Sequence, residues 1–294
     1  MALHPQARTA LEHTAGEPKV WEQDIEEARL EARAEAAFAP REDVEEVRDV
    51  DADGVRCRLY RPAGAEEGVV LHLHGGGFVF HDIDVHDGVA RRLANRVGIA
   101  VLSVDYRRPP EHPFPAAPDD VDTVLRWLER ESDAEGIAGP TYAHGDSAGG
   151  NLALVAALRN PGRLRALALT YPFLDPRMEG ESYRARSNGF DPREAAWYWE
   201  QYSGDPQHLT HPDLAPLLSD RLGTLPPTLV VSAEHDPLRD EAERLVTELV
   251  EQGVTAVGIR FLGQLHGFWR HHDVFDAAEP LTRTVAGFLR SHHP

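Results

Sequence analysis

Ser147 stands in the turn Gly145-Asp146-Ser147-Ala148-Gly149, and a serine held this way can act as an activated nucleophile. The flanking glycines matter because such a turn is strained and brings two elements too close together for a Cβ. The pattern alone recurs by chance, and its setting gives it weight. A strand-like run, Thr141 to Gly145, leads into it and a helical run begins near Ala148. Upstream, His74-Gly75-Gly76-Gly77-Phe78 closes another apolar run, Gly68 to His74. Consecutive glycines let backbone N–H groups turn toward a ligand oxygen, which makes Gly76, Gly77 and the helix-starting Ala148 candidates for an oxyanion hole. Nucleophile and hole together point to acyl transfer. A phosphate cradle is the rival reading of the glycines, but neither Gly-x-x-x-x-Gly-Lys nor Gly-x-Gly-x-x-Gly occurs. The pairs His72/His74 and His81/His86 are of metal-binding type, yet no cysteine or convincing carboxylate set accompanies them, so no metal is expected.

Three segments in order, His74 to Phe78, Tyr106-Arg107-Arg108-Pro109-Pro110-Glu111-His112-Pro113-Phe114-Pro115-Ala116 and Gly145 to Asn151, together resemble the hormone-sensitive lipase-like esterases from about residue 68 onward. The resemblance implies an α/β-hydrolase fold, no metal or organic cofactor, and a catalytic Ser, Asp and His in that chain order. It assigns the acid to Asp236, after the run Thr228 to Ala233, with Asp240 and Glu234 as reserves. The base is His266, in Gln264-Leu265-His266-Gly267-Phe268. Asp236 also reads as a helix N-cap before Pro237. Arg108-Pro109 departs from the family's usual Leu-Ala, with a small effect expected on a supporting loop. Glu111 and His112 sit among prolines and are read as part of that loop. The implied substrates are small-molecule esters with short to medium acyl chains, and Phe78 and Trp197 are candidate pocket walls. An amide or acetyl hydrolase with the same triad is the alternative, followed by a non-catalytic receptor on the same scaffold, although such receptors lack the histidine.

These residues need a scaffold that delivers them to one edge. Val44 to Val50 and Val55 to Arg61, joined by Asp53-Gly54, read as an antiparallel hairpin. From there continuous apolar runs alternate with amphipathic stretches, as in a parallel sheet covered on both faces. The further strands expected are Gly68 to His74, Ile99 to Asp105, Thr141 to Gly145, Leu164 to Tyr171, Thr228 to Ala233 and Thr255 to Phe261. Helical stripes fall at Val121, Val124, Leu125 and Leu128 and at Ala242, Leu245, Val246 and Leu249. The fold class is therefore α/β, a mostly parallel central sheet with helices on both faces and a helical cap. Residues 41–175 and 223–294 form the catalytic domain, 1–40 an N-terminal helical cap segment, and 176–222 a cap insertion too long for a crossover.

Composition narrows the partners. With 49 acidic against 30 basic residues the formal charge is −19, which disfavours nucleic acid and anionic membranes. Lys19 is the sole lysine. The single cysteine, Cys57, lies in an alternating stretch and reads as a buried, inert thiol, and no internal disulfide can form. No run approaches the roughly 18 apolar residues of a membrane span, and no signal peptide is legible, so the expected location is cytoplasmic. A homodimer is compatible with all of this.

Overall fold

The computed structural model describes residues 2–185 and 189–294; residues 186–188, within the expected cap insertion, lie outside them. Asp53 and Gly54 both take positive φ, 55° and 90°, and turn β1 (Glu46–Ala52) back onto β2 (Val55–Arg61). This primed geometry matches the right-handed twist of the strands it joins. β2 pairs antiparallel with β4 (Ile99–Val104), and every later pairing is parallel. With β3 (Glu66–Leu73), β5 (Thr141–Asp146), β6 (Leu167–Thr170), β7 (Thr228–His235) and β8 (Ala256–Leu265), the sheet order is β1-β2-β4-β3-β5-β6-β7-β8.

The strand period of two sorts the apolar side chains into two cores. On one face Leu59, Leu71, Leu73, Leu102, Leu167 and Leu169 pack with α4 (Ala116–Glu131), α5 (Ala148–Arg159) and α7 (Arg239–Glu251). On the other, Tyr60, Val70, Val101, Ala168 and Val231 pack with α3 (Asp87–Val97) and α8 (Ala278–Ser291). Burying each such leucine stabilises the fold by about 2 kcal/mol relative to exposure. Cys57 is fully buried and free, and burial pushes its thiol up, away from reactivity. No helix among the described residues is long and apolar enough to cross a membrane.

Two further helices precede the sheet, α1 (Pro5–His13) and α2 (Ile25–Phe38), and α6 (Pro192–Ser203) lies between β6 and β7. α1 falls within the expected helical segment, but no apolar stripe marks its bounds, since Ala7 is its one buried residue. It is docked instead by the His4 N–H, which donates to the Gly263 carbonyl of β8 at 3.0 Å. β8 runs four residues beyond its expected end. Its pairing with β7 shifts register between Ala233 and His235, and Gly263 takes φ 71°. As a result His266 leaves the sheet directly, without an intervening loop.

Candidate active site

β3, β5, β7 and β8 end at the same carboxyl edge, delivering His74, Ser147, Asp236 and His266 toward one point. Ser147 turns the chain from β5 into α5 with φ 54° and ψ −119°, a left-handed-side conformation that a non-glycine residue adopts only under constraint. The constraint is close packing. A Cβ on Gly145 would lie 2.1 Å from the Gly149 carbonyl oxygen, and one on Gly149 would lie 1.9 Å from that of Leu73. The serine N–H is held by the Thr170 carbonyl at 2.9 Å.

Ser147 Oγ lies 2.9 Å from His266 Nε2, and His266 Nδ1 lies 2.7 Å from Asp236 Oδ2. Asp236 is buried, and its other oxygen accepts the Leu238 N–H at 2.9 Å. The helix-entry role and the histidine-orienting role thus fall to different oxygens of one carboxylate. Tyr171 and Phe190 flank the imidazole with ring centroids at 4.7 and 4.8 Å. The reserve acids are occupied elsewhere: Asp240 accepts the Ser182 N–H, and Glu234 the Gly263 N–H.

Gly76 and Gly77 take φ 115° and 60°, turning the loop after β3 across the serine. Among the described residues their N–H groups and that of Ala148, the first residue of α5, have no acceptor. The loop is fixed from both sides. Gly75 N donates to Asp146 Oδ1 at 2.9 Å, and the Tyr106 hydroxyl donates to the His74 carbonyl at 2.7 Å. Burial raises the Asp146 carboxyl from 3.8 to about 6. The proline-rich motif supports this loop too, since Arg108 donates to the carbonyls of Phe80 and His81. Glu111 is half-exposed and pairs with Arg29 of α2 at 2.7 Å, docking the N-terminal segment.

A cavity of about 420 Å³ opens above Ser147, within the range of small-molecule sites. Its walls correct two expectations, because neither Phe78 nor Trp197 lines it. Phe78 is buried at φ 65° and stacks inward on Tyr202 at 3.7 Å. Trp197 packs on Phe80 at 5.9 Å. Helical spacing explains the second case: Glu194 and Tyr198, four residues apart on α6, take the pocket face, and Trp197 falls to the side. Sequence reasoning also missed Lys19, His81 and Arg270, all on the walls. The signal available was weak, a cation four residues after the candidate base. Burial raises Glu194 from 4.5 to about 7.

His72, His86 and Asp146 are buried with one potential ligand atom each, all within 4.8 Å of one another. Burial lowers His72 to about 4 and His86 well below its usual value. Asp146 is already engaged there by the Gly75 N–H, which ties the cluster to the glycine loop after β3.

Residues 70–270 match a protein family described by the α/β hydrolase fold. The chain is 36% identical over 284 residues to the carboxylic ester hydrolase LipN of Mycobacterium tuberculosis, covering 90% of this chain and 75% of that one. It is 32% identical to an ethyl acetate hydrolase of Pseudomonas putida, with 82% and 80% covered. Among solved structures, an esterase of Pyrobaculum calidifontis superposes with a TM-score of 0.88 at 34% identity, over 98% of each chain.

Proposed function

The chain belongs to the α/β-hydrolase family, in its hormone-sensitive lipase-like branch, and from that premise we propose that it is a carboxylic ester hydrolase in which Ser147, His266 and Asp236 are the catalytic triad. The observation that carries the assignment of residues is the unbroken relay, 2.9 Å from Ser147 to His266 and 2.7 Å from His266 to Asp236, at the floor of a cavity.

His266 Nε2 takes the Ser147 proton as Oγ attacks the ester carbonyl. Asp236 accepts the Nδ1 proton in a hydrogen bond, which fixes the tautomer and stabilises the imidazolium. The oxyanion is received by the N–H groups of Gly76, Gly77 and Ala148, each worth about 3 kcal/mol in the transition state. His266 then protonates the leaving alcohol. Water, deprotonated by the same nitrogen, attacks the acyl-enzyme and frees the acid and the serine. Residues 1–40 and 176–222 act as the cap: Arg193 of α6 stacks over Trp21 at 4.2 Å, joining the two segments above the site. A cavity of about 420 Å³ favours short to medium acyl chains.

The test is hydrolysis of p-nitrophenyl esters from acetate to palmitate, with Ser147→Ala alongside. Activity on the shorter esters, lost in the variant, is expected. Release unchanged by the substitution refutes the assignment of Ser147.

A further inference from the structure

The chain carries a net charge of −19, yet two cations, Lys19 and Arg270, line the cavity above Ser147. Lys19 is the only lysine in the sequence. Among the described residues neither side chain has a carboxylate oxygen within 4.0 Å, whereas Arg29, Arg33, Arg96 and Arg159 each pair with at least one. Arg270 is held by neutral groups instead. Its Nη1 lies 2.8 Å from His81 Nδ1, and its Nη2 lies 3.3 Å from His271 Nε2. Burial and the guanidinium's own field keep both imidazoles uncharged, with His271 lowered to about 4 and His81 well below its usual value. The histidines orient the fork without cancelling its charge.

The other charged groups on these walls stay out of contact with the fork. Glu194 accepts from the Tyr198 hydroxyl at 3.5 Å and is held close to half-protonated at neutral pH. Asp146, also on the cavity wall, feels the field of Arg270, which draws its carboxyl down against its burial, but among the described residues it makes no ion pair with the fork, and its Oδ1 is taken by the Gly75 N–H. Glu17 is exposed at the rim. A guanidinium in a partly desolvated pocket, with hydrogen-bonding capacity left over and no anion in contact, matches a planar carboxylate supplied by the ligand.

We propose that Arg270, with Lys19 at the cavity mouth, forms a carboxylate subsite beside Ser147, and that the preferred substrates are esters bearing a free carboxylate, such as half-esters of dicarboxylic acids. The inference rests on the ester-hydrolase reading above and adds the substrate class. The cavity of about 420 Å³ accommodates molecules of that size. The half-ester would lie with its scissile carbonyl in the oxyanion hole and its carboxylate on the fork.

The experiment compares monoethyl glutarate with ethyl butyrate, following ethanol release, in the unmodified protein and in Arg270→Gln, Arg270→Lys and Lys19→Gln. The unmodified protein should favour the half-ester through a lower KM, and added salt should erode that preference. Arg270→Gln should reduce the ratio of the two kcat/KM values by roughly 10- to 100-fold, the range for a lost charged hydrogen bond, with partial recovery in Arg270→Lys. Lys19→Gln, on an exposed side chain where folding is not at stake, should reduce it severalfold. Hydrolysis of ethyl butyrate with no half-ester preference overturns the subsite and leaves the esterase intact. A preference that survives Arg270→Gln and Lys19→Gln also overturns it. Failure on both substrates, in a protein equally inactive on p-nitrophenyl esters, removes the esterase reading and the subsite with it.

Discussion

Replacing Asp146 by asparagine should make the protein more stable at pH 8 and leave its stability nearly unchanged at pH 3. The carboxyl is 2% exposed, and burial raises it from 3.8 to about 6. The folded protein therefore holds this proton to higher pH than the unfolded chain does. Any stability due to the bound proton is fully present below about pH 4 and is lost as pH rises through about 6. Above that, keeping a buried carboxylate ionised costs about 3 kcal/mol, from the gap between the two values at about 1.4 kcal/mol per pH unit. The neutral amide of the Asp146→Asn variant would remove that cost. It would retain an oxygen for the Gly75 N–H, now 2.9 Å from Asp146 Oδ1, and the raised value already includes what that bond gives the carboxylate. The gain of about 3 kcal/mol corresponds to a rise in Tm of about 5 °C for a chain of this size. Thermal unfolding of both proteins at pH 3 and pH 8 measures it. An equal change at the two pH values, or a loss at pH 8, would refute the reasoning that the charge at Asp146 is held against its burial.

Two other outcomes follow from the pocket. Gly77→Ala would place a Cβ 2.1 Å from the Tyr198 ring at a residue with φ 60°, displacing one oxyanion donor. We expect kcat to fall about a hundredfold with little change in KM, read from steady-state kinetics on p-nitrophenyl butyrate, and a loss confined to KM would contradict that donor's role. Glu194, raised to about 7, gains its negative charge between pH 6 and 8, so inhibition by the product butyrate should weaken roughly fivefold over that range, as about 1 kcal/mol of repulsion requires. The profile should be flat in Glu194→Gln; a slope persisting in the variant would assign the effect to another group.

The eight strands were legible because parallel strands buried on both faces read as unbroken apolar runs, and because Asp53-Gly54 dictates a single kind of turn. The meeting of Ser147, Asp236 and His266 was legible for a related reason. Each follows a strand immediately, so locating the strand ends located the side chains. The walls were not, because they depend on how segments without sheet pairing dock. Nothing local in Lys19 or Glu17 announces that residues 14–23 fold over a serine more than a hundred positions away. Trp197 was favoured for its ring, but the angular position of a residue on α6 decides what it faces, and that orientation is set by tertiary packing. Arg29 shows the same limit. Its bonds to the carbonyls of Val79 and Pro109 and to Glu111 tie α2 to the loops beside the site, and no pattern in α2 foretells them.

The docked N-terminal segment separates two tasks within one chain. The proposed triad stands at buried strand ends, where substitutions disturb close packing, whereas Lys19, Gln23 and Glu194 belong to segments that contribute no strand to the sheet. Changes there can reshape which molecules enter while the reacting geometry is left alone. A library confined to residues 14–23 and 189–198 should therefore yield new ester preferences with few unfolded members, and divergence among related enzymes should accumulate in those same stretches.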